Sequence, residues 1–143
     1  MLRIKTIVTF VLLLLSLSVQ AEAPESKRSI LIDLKLAPHL QQYAEEKWLV
    51  YVFARPADKR VPLASKKLTL DRVPMLVELT EANFLLENLT LANADEVVVY
   101  VKVTRHGSPH KTVVGDLLGE SEPVDFKAAN RHKIELVISK EVK

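Results

Sequence analysis

Trp48-Leu49-Val50-Tyr51-Val52-Phe53-Ala54 is the stretch on which the fold reading turns. Seven consecutive residues are apolar or aromatic, with valines recurring at alternate positions and no charge on either side of the pleat. A strand with one solvated face alternates apolar with polar residues, so a run apolar on both faces belongs in the middle of a sheet. Val97 to Val103 (VVVYVKV) has the same character and predicts a second central strand.

Outward from these two runs the pattern weakens into ordinary half-buried strands. Ile30, Ile32, Leu34 and Leu36 alternate with Leu31, Asp33 and Lys35, a period of two. Leu63 to Leu70 sets Lys66 and Lys67 beside Leu68 and Leu70, and Met75 to Thr80 alternates Met75, Val77 and Leu79 with Leu76 and Glu78. Shorter strands are expected over Thr112 to Val114, Glu122 to Phe126 and Lys133 to Ile138. Pro56, Pro62, Pro74, Pro109 and Pro123 fall between or at the ends of these runs, where a residue without an N–H interrupts no ladder. Only Leu40 to Lys47 and Glu81 to Ala94 have helical composition, and the second reads as a bridging loop with a turn of helix. The expectation is an all-β, immunoglobulin-like β-sandwich of about seven strands, without the Cys–Trp–Cys core of antibody domains.

The N-terminus is of a different kind. Arg3 and Lys5 precede an apolar run from Ile7 to Val19, too short for the ~20 residues of a membrane span. Val19-Gln20-Ala21 supplies small or apolar residues at the positions a signal peptidase reads. The organisation expected is a signal peptide over residues 1–21, a flexible leader over 22–29 and one sandwich domain over 30–143, exported to the periplasm.

Charge and composition then exclude several kinds of function. The formal net charge of the 143 residues is +2, and Arg3 and Lys5 account for all of it. The chain from Glu22 onward is therefore neutral, which gives no electrostatic case for nucleic acid. There is no cysteine, so thiol catalysis, a CxxC redox pair, a thiolate metal site and haem attachment through CxxCH are all absent.

The remaining chemistry is sparse. His106 and His110 are four apart, but Gly107 and Pro109 between them prevent the helix that would aim both at one ion. His39 follows Pro38 in a turn, and His132 lies between Arg131 and Lys133 at a strand edge. Met75 falls on the apolar side of a strand, which suits core filling better than haem ligation. Asn88-Leu89-Thr90 fits a glycosylation sequon, a pattern frequent by chance. Gly115-Asp116-Leu117-Leu118-Gly119 lacks the spacing of a phosphate loop and the nucleophile of a hydrolase elbow. Its glycines suit positive φ or close strand approach, and Asp116 suits an Asx-type turn. Arg55 ends an apolar strand, where a guanidinium needs a partner, and Asp116 or another carboxylate is expected to supply it. No catalytic, cofactor-binding or metal-binding residue is assigned.

Val52-Phe53-Ala54-Arg55, then Pro62-Leu63-Ala64, Val73-Pro74 and Gly115-Asp116-Leu117-Leu118-Gly119-Glu120 form an ordered set. From about Ile30 to Ile138 the chain resembles the C-terminal domain of the cytochrome c-type biogenesis protein CycH/CcmI. Two positions depart from that pattern: Phe84-Leu85-Leu86 replaces a methionine-rich segment, and Lys102 replaces an arginine. The resemblance implies an immunoglobulin-like domain and non-catalytic work in c-type cytochrome maturation. It also implies a protein partner, either a haem-lyase component or apocytochrome c, with the membrane reached only through partners. In the full-length family proteins a tetratricopeptide region precedes this domain, and this chain is expected to be the terminal domain standing alone. Sheet edges and Phe84, Leu85, Leu86 and Leu91 are the expected partner contacts. The other reading is a periplasmic metal or haem carrier that uses His106, His110 or His132.

Overall fold

Period-two burial sets the architecture from the first strand onward. In the computed structural model, which describes residues 27–143, β1 (Ser29–Leu36) buries Ile30, Ile32, Leu34 and Leu36 and turns Leu31, Asp33 and Lys35 outward. The expected signal peptide over residues 1–21 lies outside the described residues, as do residues 22–26 of the expected leader. Arg28, within the expected leader, is anchored. Its guanidinium donates to the carbonyls of Leu91 (3.1 Å) and Ala94 (2.5 Å) and lies 5.2 Å from the centroid of the Phe126 ring.

Two sheets face each other. The smaller has the order β4 (Met75–Thr80), β1, β8 (Arg131–Ile138), with β1 antiparallel to β4 and parallel to β8. The larger runs β3 (Ala64–Thr69), β2 (Leu49–Arg55), β5 (Glu96–Thr104), β6 (Leu117–Glu120), β9 (Lys140–Glu141), and β7 (Val124–Asp125) pairs with the start of β5. Both all-apolar runs are central: β2 lies between β3 and β5, and β5 between β2 and β6. Ile30, Ile32 and Leu34 from one sheet and Val50, Val52, Val99 and Val101 from the other share one core. Each aliphatic side chain fully buried there is worth about 1.5–3 kcal/mol, and no disulfide contributes.

One expectation is corrected. Thr112 to Val114 is not a strand: Val113 N–H is taken by Asp116 Oδ2 (2.9 Å), and Asp116 N–H returns to Val113 O, so the chain turns there. The strand comes next, at β6, within the Gly-Asp-Leu-Leu-Gly stretch. The leucine-rich 81–94 segment is a loop whose one helical element is a 3-10 turn, Leu91–Asn93, capped by Thr90. Pro38–Tyr43, in the other segment of helical composition, is likewise 3-10.

The two sheets come close together at β6 and β8. A Cβ on Gly119 would stand 2.7 Å from Leu136 Cδ2 and 2.8 Å from Val137 O, so only glycine fits without displacing β8. Gly115 meets the other need, with φ of +95°.

Candidate functional site

The outward face of the larger sheet is built by strand register. β2 turns Tyr51, Phe53 and Arg55 outward, and β5 sets Lys102, Tyr100 and Val98 directly opposite them. On the far side of β5, Leu118 and Glu120 of β6 continue the rows, and Lys140 of β9 stands opposite Leu118. The rings of Phe53 and Tyr100 therefore stack, with centroids 5.6 Å apart and planes at 22°. Such a pair contributes about 0.5–1.5 kcal/mol beyond its buried area.

Arg55 completes the stack. Its guanidinium carbon lies 4.3 Å from the Tyr100 ring centroid, and Nη1 donates to Lys59 O at 2.6 Å. Asp116, the carboxylate named as a partner for Arg55, is engaged elsewhere, so that expectation is corrected. Asp116 is 1% exposed and its Oδ2 lies 3.7 Å from Nζ of Lys102, itself only 5% exposed. Lys102 Nζ also donates to Lys111 O. The segment after β5 is thus tied across the sheet face, and Tyr51 holds it a second time by donating to Gly107 O at 2.8 Å.

Between that segment and the strands lies an open groove of about 490 Å³. Phe53, Tyr100, Leu118 and Pro109 give it apolar walls, while Arg55, Lys102, Lys140 and Glu120 bring charge to it. Sequence residues singled out as a family motif separate here into two groups. Ala54, Leu63, Ala64, Asp116 and Leu117 are buried, while Pro62 is half-buried in the approach to β3. Pro74 is exposed and follows a cis peptide bond. Phe53, Arg55 and Gly119 instead line the groove. Tyr100 and the pairing role of Lys102 went unread in sequence, although a lysine inside VVVYVKV is a visible signal: a charge flanked by buried valines requires a partner.

The other expected sites fall elsewhere. Phe84, Leu85 and Leu86 are exposed by 42%, 61% and 50%, on the loop after β4. Leu91, expected to join them as a contact residue, is fully buried, because the 3-10 turn directs it into the core. His39 Nε2 donates to Ser139 O, and His132 Nε2 lies 2.9 Å from both Asp125 O and Ala129 O. His106 and His110 lie on the exposed segment after β5. Among the described residues no three His, Cys, Asp or Glu side chains gather as metal ligands, and no helix is long and apolar enough to cross a membrane.

Comparison with known proteins agrees with the motif order. The model of the cytochrome c-type biogenesis protein H Ig-like domain matches residues 30–139, from β1 to the end of β8. No curated protein and no solved structure matches the chain. With two β-sheets packed around one core and a match over most of its length, this chain belongs to the family of the Ig-like domain of cytochrome c-type biogenesis protein H.

Proposed function

We propose that this protein is a non-catalytic, periplasmic binding module that serves c-type cytochrome maturation by contact with a protein partner, either apocytochrome c or a component of the haem-ligation machinery. Family membership supports the context. The observation that carries the contact role is the groove, where Phe53, Arg55, Tyr100 and Lys102 share one half-open surface. Aromatic and arginine side chains held in fixed geometry are the usual anchors of protein recognition, because little rotamer entropy remains to be lost on binding. The exposed Phe84-Leu85-Leu86 loop is a second contact in this proposal.

The test is a binding measurement with purified partners. The protein, immobilised, is exposed to apocytochrome c and to each haem-ligation component in turn. Saturable binding that Phe53→Ala weakens severalfold, in a variant of unchanged circular dichroism, supports the proposal. Absence of saturable binding to every component, or binding indifferent to both Phe53→Ala and Leu85→Asp, contradicts it.

A further inference from the structure

The groove has a chemistry narrower than protein contact in general. Three cations line it, Arg55, Lys102 and Lys140, against two carboxylates, Glu120 in the lining and Asp116 paired with Lys102. The chain from Glu22 onward is neutral, so this excess of one positive charge is local. It suits a single carboxylate; a phosphate brings nearly two negative charges.

The donors are also positioned. Nη1 of Arg55 is committed to Lys59 O, and the guanidinium carbon lies 4.3 Å from the centroid of the Tyr100 ring, so two contacts hold the fork. The remaining N–H groups of that fork match the two oxygens of a carboxylate. Lys102 is almost wholly buried, yet only one of its three ammonium protons makes a hydrogen bond within the described residues, the one to Lys111 O. Asp116 at 3.7 Å balances its charge without accepting from it. Register sets Lys102 four residues along β5 from Val98, the residue opposite Arg55, so its ammonium lends charge to the groove and not a second contact to the same carboxylate. Beside these donors stands the Phe53–Tyr100 wall, which favours an apolar or aromatic group.

We infer that the groove recognises an acidic side chain adjacent to an aromatic or apolar one on a segment of the partner protein. The carboxylate meets the free N–H groups of Arg55, and its neighbour packs on Phe53. This rests on the binding-module reading and names the chemistry of its contact.

The experiment uses two blocked peptides, Gly-Phe-Asp-Gly and Gly-Phe-Asn-Gly, titrated into the ¹⁵N-labelled protein and followed by NMR. The Asp peptide is expected to shift the amides of Phe53, Tyr100 and Leu118, and to bind about ten- to a hundredfold more tightly than the Asn peptide, as loss of a charge-assisted hydrogen bond requires. Arg55→Gln should abolish that preference, with changes in the spectrum of the free protein confined to the neighbours of Arg55, Tyr100 and Lys59 among them. Equal binding of the two peptides overturns the inference, as does the absence of groove shifts at millimolar peptide. So does displacement of the Asp peptide by an equal concentration of inorganic phosphate. If the peptides fail while purified apocytochrome c or a haem-ligation component still binds, the carboxylate inference falls and the binding-module reading stands.

Discussion

The two outward faces of the sandwich are built by the same period-two rule and carry opposite chemistry. On the smaller sheet, Asp33 and Lys35 of β1 lie beside Glu135 of β8, with Lys35 Nζ 3.2 Å from Glu135 and 3.6 Å from Asp33. That face is a solvated charge ladder. On the larger sheet the corresponding positions hold Tyr51, Phe53 and Tyr100, and a chain segment is tied across them. Charge occurs on both faces, but its setting differs. Lys35 is half-exposed, whereas Lys102 and Asp116 are buried. Exposed ion pairs contribute little because water and salt screen them, while a buried pair is costly to break. The comparison teaches where to look for function: on the face that keeps aromatic rings half-exposed and cations fixed.

Substitutions that break the comparison should differ in size accordingly. Lys102→Met should be the most damaging, destabilising the domain by about 3–5 kcal/mol in urea unfolding, because Asp116 is left buried without its cation. The double variant Lys102→Met/Asp116→Asn should recover part of that loss. If Lys102→Met is as mild as a surface change, the buried-pair account is wrong. Gly119→Ala should follow, at about 1–3 kcal/mol, since the added methyl meets Leu136 and the backbone of Val137. Arg55→Ala should lower stability by only about 0.5–1 kcal/mol, the worth of a partly exposed cation–π contact, while weakening partner binding far more. A loss as large as that of Lys102→Met would return Arg55 to a purely structural role.

Lys35→Ala is the smallest. The hydrogen bond to Glu135, then the charge of Asp33, raises the Lys35 ammonium above its ordinary value of 10.5. A raised value means that the stabilisation is fully present below the unfolded-state pKa and is lost as pH rises through the folded one. The small difference in urea midpoint between Lys35→Ala and wild type should therefore stay constant up to the unfolded value of about 10.4 and fade only as pH rises above it, through the raised folded value.

How far the sequence could be read follows from the range of each interaction. Strands β1, β2, β4, β5 and β8 were legible because burial of a face repeats every second residue, a local signal. The short β6 was not: its Gly-Asp-Leu-Leu-Gly residues look like a turn, and only the approach of β8 explains Gly119 as a strand residue. The groove was hidden for a related reason. Nothing local to Arg55 says that register will bring Tyr100 opposite Phe53, or that Lys102 will claim Asp116 first. Arg28 escaped in the same way, since its acceptors are the carbonyls of Leu91 and Ala94, far along the chain.

The central claim is that partner binding uses the aromatic face of the larger sheet. Amide hydrogen exchange, followed residue by residue with and without purified apocytochrome c or a haem-ligation component, tests it most directly. Binding should slow exchange across β2, β5 and β6 around Phe53, Tyr100 and Leu118, and leave β1 and β8 around Asp33 and Glu135 unchanged. Protection confined to the charged face of the smaller sheet would contradict the account.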